Sequence, residues 1–195
     1  MEFQKVMKLR QSTRVFKDTP LDENQIAYLL EAANLAPVGS KLYRDVHITV
    51  IRDRALLKKL CEAAWVRFSS KEKLEEVSGD ADVVATDEKC PDLFYGAPVV
   101  FMVSHRKQTL QPGIEWANVT SVVSQMHLAA TDLGLGSVFM WGALESMRMF
   151  PEYDNTALLQ LPEDFEPLLG LAVGYPAKEL AERAPTHKDI TVNYL

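Results

Sequence analysis

The sequence predicts a single domain built from both helices and strands, and three observations carry that expectation. The run from Asn118 to Gly142, NVTSVVSQMHLAATDLGLGSVFMWG, reads as a long helix, a glycine turn and an apolar strand. Pro98 to Ser104, PVVFMVS, is apolar without alternation, the pattern of a strand covered on both faces. A chain of 195 residues with 47% apolar side chains can bury a full core and fits one domain better than two.

In chain order, residues 3 to 9 read as a short helix. Arg10-Gln11-Ser12-Thr13-Arg14-Val15-Phe16 reads as extended chain leading into an Asp18-Thr19-Pro20 turn. Asp22 is a helix cap with Gln25 three residues on, and Ile26, Leu29, Leu30 and Ala33 form the apolar stripe of a second helix that stops at Ala36-Pro37. After a tight Val38-Gly39-Ser40 loop, Val46, Ile48 and Val50 alternate with His47, Thr49 and Ile51 as a strand. A third helix, near 53 to 68, buries Leu56, Leu57, Leu60 and Ala64. Residues 69 to 92 are polar, mixed in charge and weakly periodic, a surface excursion that would suit a lid.

In the central helix, Val119, Val122, Val123, Met126, Ala130 and Leu133 fall on one core-facing stripe. The opposite face, Ser121, Ser124, Gln125, Leu128 and Thr131, carries almost no charge before Asp132. Such a helix is expected to be wrapped, by its own domain or by a second subunit. Gly134 supplies the left-handed residue after the last turn. Val138 to Trp141 form the strand, and Gly142 ends it where a backbone can approach a ligand closely. On this stretch alone, plain core is the simpler reading. The GLG triplet is not a dinucleotide fingerprint, which requires strand before helix and a third glycine where Phe139 stands. A short helix near 143 to 150, a loop from Pro151 to Thr156 and a strand from Leu168 to Val173 follow. The C-terminal extension, 177 to 195, is polar until Ile190-Thr191-Val192, which alternates like an added strand in need of an edge.

Composition narrows the function. A net charge of −6 with no basic stripe argues against a nucleic-acid partner. No apolar run approaches the roughly 18 residues of a membrane helix, and the start MEFQKVMKLRQ lacks a signal-peptide core, so a cytoplasmic protein is expected. Cys61 and Cys90 are the only cysteines and form no CxxC, which indicates neither a disulfide framework nor an iron–sulfur or zinc site. His47, His105, His127 and His187 show no metal-ligand spacing, and His127 reads as an interior histidine rather than a base. Asn118-Val119-Thr120 matches a glycosylation acceptor by chance, inside the central helix. There is no Walker loop and no nucleophile elbow, so an enzyme reading requires a cofactor to carry the reaction.

The N-terminal segment offers a place to hold one. In extended chain Arg10, Ser12 and Arg14 share a face, and two guanidinium forks with a hydroxyl suit a phosphate. A solvated charged strand is the plainer alternative for two arginines alone.

Five motifs in register then decide between these: RQSTRVF at the N-terminus, Pro20-Leu21 before a helix ending EAANLAP, the strand APVVFMVS, the GLGS turn, and LLGLAVGYPA near the end. In that order and spacing the chain resembles the FMN-dependent nitroreductase family over nearly its whole length. The resemblance implies an α+β fold with a mostly antiparallel central sheet flanked by helices, and a homodimer with one FMN at each end of the interface. Carried over by position, Arg10, Gln11, Ser12 and Arg14 match the segment in which the first Arg and the Ser hold phosphate and the second basic residue reaches the flavin's pyrimidine edge. Pro37, Val38 and Gly39 match the loop laid against the cofactor by the partner subunit, and Trp141 and Gly142 fall where backbone groups address the flavin N5 and O4. A basic residue after the GYP motif also meets the phosphate, for which Arg183 and Lys188 are the candidates.

The resemblance further implies NAD(P)H as electron donor and a small acceptor such as a nitroaromatic or quinone, in ping-pong order, with no catalytic protein side chain and no metal. The chain departs from the family's APSxxNxQPW in reading APVGSKLYRD, so Lys41 replaces the asparagine and Tyr43-Arg44-Asp45 replaces QPW. Trp141 stands where some members carry glutamate. These departures surround the expected substrate face and leave three alternatives: a flavin enzyme of other chemistry such as reductive dehalogenation, a flavin-binding sensor or storage protein, and a plain interaction domain.

Overall fold

The computed structural model describes residues 1–68, 92–142, 144, 156–184 and 190–194. Most of the expected excursion at 69 to 92, the short helix near 143 to 150 and the loop from Pro151 to 155 lie outside the described residues. Helix α1 (Phe3–Leu9) buries Val6 and Leu9 and ends where Arg10 turns extended, its N–H donating to the Val6 carbonyl at 2.9 Å. Helix α2 (Glu23–Asn34) opens on a complete capping box: Asp22 Oδ1 accepts from the Gln25 N–H at 2.8 Å, and Gln25 Oε1 accepts from the Asp22 N–H at 3.0 Å. Strand β1 (Val46–Ile51) and helix α3 (Arg54–Phe68) follow, then β2 (Val99–Arg106), the central helix α4 (Ile114–Asp132), β3 (Gly136–Met140) and β4 (Phe165–Gly174).

The four strands make one sheet in the order β1-β2-β4-β3, with every neighbouring pair antiparallel. Helices α2 and α4 cover one face, where Val99, Phe101, Val103, Leu169, Leu171 and Val173 meet Leu29, Val122 and Met126. On the other face Val100, Met102, Val138, Met140 and Ala172 meet Leu57 and Leu60 of α3. With helices on both sides, β2 and most of β4 have no water-facing row, which is why PVVFMVS does not alternate. The expected α+β layout, antiparallel sheet and flanking helices, is the one observed.

Several boundaries moved. Strand β3 runs Gly136–Met140 rather than Val138 to Trp141, because Gly136 and Ser137 already pair with Gly174 and Val173, and Trp141 lies exposed past its end. Helix α4 begins at Ile114, a turn before the apolar stripe, because Gly113 at φ 95° starts it from the left-handed region. Strand β2 runs on to Arg106 and β4 starts at Phe165, since those two residues pair with each other across the sheet. The end of α4 is as expected: Gly134 (φ 73°) and Leu135 donate to Thr131 and Ala130 at 2.9 and 2.8 Å, the paired hydrogen bonds of a Schellman cap. The strand expected at Ile190-Thr191-Val192 is absent. Those residues are irregular, Ile190 is 86% and Val192 67% exposed, and an alternating pattern makes no strand until an edge is supplied to it.

Candidate functional site

The N-terminal segment lies against the outer edge of β3. Ser12 bridges Ser137 in parallel sense, and the Thr13 N–H donates to the Ser137 carbonyl at 3.0 Å. This approach requires Gly136: a Cβ there would stand 2.6 Å from Thr13 Oγ1 and 2.8 Å from its Cβ. The segment thus shields an edge that would otherwise be open and holds the run from Arg10 to Arg14 in place.

Arg10 Nη1 donates to His127 Nε2 at 3.0 Å, and His127 Nδ1 is bonded to the Ser137 hydroxyl. Guanidinium only donates, so Nε2 is the lone-pair nitrogen and Nδ1 carries the hydrogen. Burial, then the charges of Arg10 and Arg183, lower the His127 pKa to about 4, so the ring is neutral. Arg10 itself is pushed below its ordinary value, by burial and then by Arg183. Arg183 is brought there by the returning C-terminal segment, where its N–H donates to the Lys8 carbonyl at 3.2 Å. Among the described residues no carboxylate forms an ion pair with Arg10, Arg14 or Arg183. Two half-buried cations within reach of each other's charge, with a neutral imidazole and a nearby hydroxyl, make surroundings that suit an anion.

From this end β3 carries Ser137 and Phe139 on one face, and Trp141 follows just past its last residue, Met140. The His127 ring lies 5.3 Å from that of Phe139, and Trp116, at the start of α4, lies 5.2 Å from Trp141 at an interplanar angle of 42°. The cations and the aromatic pair therefore stand at opposite ends of this stretch, roughly 13 Å apart along extended chain from Ser137 to Trp141. Trp141 is 48% exposed. Among the described residues none lies within 4 Å of where a Cβ on Gly142 would be.

The residues singled out from the sequence separate into two groups. Arg10, Ser12 and Arg183 gather around Ser137 and His127, with Gln11 half-buried and Arg14 exposed in the same segment. Trp141 and Gly142 stand past the other end of β3. Pro37, Val38 and Gly39 lie elsewhere, on the start of α4, where the Gly39 N–H donates to Asn118 Oδ1 at 2.7 Å. Asn118 is 2% exposed, which removes it as a glycosylation acceptor. Of the two C-terminal candidates Arg183 is beside Arg10, and Lys188 lies outside the described residues. Neither Trp116 nor Ser137 is singled out by the sequence, and Asn118 is marked there only as a chance glycosylation acceptor. Only Ser137, inside the quoted GLGS, carried a signal that could have marked it.

No helix among the described residues is long and apolar enough to cross a membrane. The chain aligns at 30% identity with a putative NADH dehydrogenase/NAD(P)H nitroreductase of Archaeoglobus fulgidus, over 90% of this chain and 86% of that one. An NADPH-dependent oxidoreductase of Staphylococcus haemolyticus matches at 28% over 89% of this chain, which spans 64% of that relative's length. A nitroreductase of Bacteroides fragilis, crystallised with bound FMN, superposes with a TM-score of 0.78 at 25% identity, covering 100% of this chain and 99% of the other. The sequence model of the Nitroreductase family matches residues 7–175, and the chain belongs to that family.

Proposed function

We propose that this protein is a homodimeric, FMN-dependent oxidoreductase that takes electrons from NAD(P)H and passes them to a small flat acceptor such as a nitroaromatic or quinone. The observation that carries the reading is that Arg10 and Arg183 feel each other's charge while no carboxylate is paired to either among the described residues. A phosphate monoester is the group that such a pair is built to hold.

FMN held here would supply two-electron redox chemistry between NAD(P)H and the acceptor. The chain's own part is binding and placement. Arg10 and Arg183 hold the phosphate, Ser12 adds a hydroxyl, and His127 keeps the Arg10 guanidinium aimed while remaining uncharged. Arg14 supplies positive charge toward the pyrimidine edge of the ring. Trp141 and Gly142 border the ring, and the Trp116–Trp141 pair offers a shelf for a flat acceptor.

The half-buried face of α4 supports the dimer. Ser121, Ser124, Gln125 and Leu128 remain partly open to solvent in a single chain although they carry no charge. Phe3, Met7 and Leu35 are exposed at 63%, 47% and 73%, as are Ile190 and Tyr194 at 86% and 91%. A second copy would bury these surfaces and bring Pro37, Val38 and Gly39 to the other subunit's flavin.

The visible spectrum of purified protein, followed by NADH and NADPH oxidation with menadione or a nitroarene, tests the proposal. A yellow protein that turns over with these acceptors supports it. Protein that remains colourless after incubation with FMN and gel filtration sinks it.

A further inference from the structure

The loop from Pro37 to Lys41 is latched to the sheet by a buried relay. The Gly39 N–H donates to Asn118 Oδ1 at 2.7 Å, the Asn118 amide nitrogen meets His105 Nε2 at 3.1 Å, and His105 Nδ1 meets the Arg106 carbonyl at 2.7 Å. A carbonyl only accepts, so Nδ1 carries the ring hydrogen and Nε2 presents its lone pair to Asn118. The Asn118 amide is thereby fixed one way round, with its NH2 toward the ring and its oxygen toward the loop. His105 is 0% and Asn118 2% exposed, so water offers neither a substitute partner.

The loop also sits at contact distance on α4. A Cβ on residue 39 would stand 3.1 Å from Ile114 and 3.3 Å from Asn118 Oδ1. Ser40 and Lys41 follow with φ of 54° and 58°, left-handed conformations that persist in such residues only where the surroundings hold them. Ser40 Oγ donates to Gln111 Oε1 at 2.7 Å and holds the far side.

We infer that His105 and Asn118 are positioning residues for flavin binding: through the Gly39 N–H they hold Pro37–Gly39 in the shape that meets the other subunit's cofactor. The inference rests on the flavin reading above and assigns neither residue a part in the chemistry. Its cross-strand neighbours place His105 between Val46 on β1 and Glu166 on β4, so Glu166 is the ionisable residue beside it in the sheet. In an Asn118→Asp protein one carboxylate oxygen still accepts from Gly39. The other faces the lone pair of Nε2 and draws a proton onto the ring.

The test is FMN titration of the apo-protein by flavin fluorescence, with the His105 ring followed by nitrogen NMR. Asn118→Leu leaves the Gly39 donor buried and unpaired and is expected to weaken FMN binding by roughly tenfold or more. Asn118→Asp is expected to retain native affinity while carrying a charged His105 at pH 7. Arg10→Ala is the control on the premise. If neither Arg10→Ala nor Asn118→Leu weakens FMN, the flavin reading itself fails. If Arg10→Ala weakens FMN and a folded Asn118→Leu does not, the relay alone is overturned. Should Asn118→Leu not fold, Asn118→Asp decides: a neutral His105 ring, or a charged ring with lost affinity, overturns the inference.

Discussion

Arg10 and His127 act as one unit: the guanidinium donates to Nε2 at 3.0 Å, which leaves the ring hydrogen on the Ser137 side. An imidazolium at that place would set an N–H against a guanidinium, with a second cation, Arg183, nearby. The neutral ring is therefore a condition of the cation pair.

This condition sets a pH dependence. The His127 pKa is lowered from 6.5 to about 4 by burial, Arg10 and Arg183. The unfolded chain takes up the proton first, so its contribution to stability is complete above pH 6.5 and is lost as the pH falls toward 4. The full loss is roughly 3 kcal/mol. His127→Gln keeps an acceptor for Arg10 and a donor for Ser137 without titrating. Urea unfolding at several pH values is expected to show the native protein losing about that much more than the variant across this window.

Removing either cation should discriminate between flavins. Arg10→Ala and Arg183→Ala are each expected to weaken FMN on the order of tenfold or more, the scale of a hydrogen bond to a charged group, and to leave riboflavin affinity unchanged. Parallel titrations with the two flavins read this directly. Equal losses for both would move the phosphate away from these residues.

Gly136 is a steric permission for the N-terminal segment. Gly136→Ala drives a methyl into Thr13, at 2.6 to 2.8 Å before relaxation, and is expected to cost about 1–3 kcal/mol. Thr13→Gly in the same protein removes the obstruction. Thermal melts of the single and double variants check the pair, with a lower Tm in the first and partial recovery in the second.

On the proposed reading Trp141 bears on the acceptor more than on the cofactor. Trp141→Ala removes one ring of the Trp116–Trp141 shelf and is expected to raise KM for a quinone or nitroarene roughly threefold to tenfold, with FMN affinity retained. Steady-state kinetics with both acceptor types decide it. A loss in kcat alone would place Trp141 in support of the ring itself.

Much of the fold was legible because local chemistry and burial agree. The Asp22–Gln25 capping box, the stripe from Val119 to Ala130 and the Gly134 cap each state their structure within a few residues of sequence. The alternation at Ile190 to Val192 names a strand but not the edge it would need. In the site, RQSTR marked the cation segment, whereas the order that settles it comes from distant residues. His127 meets Arg10 across the fold, Arg183 arrives from the C-terminal segment, and Trp116 meets Trp141 from the far end of a helix. No spacing in the chain encodes these meetings.

Arg10 and Arg183 are far apart in the chain, yet each feels the other's charge. On the proposed reading a phosphate is gripped only while both segments are in place. Local opening of either one would then release the flavin before the core unfolds, so retention of yellow colour on warming would report on these two segments rather than on the sheet.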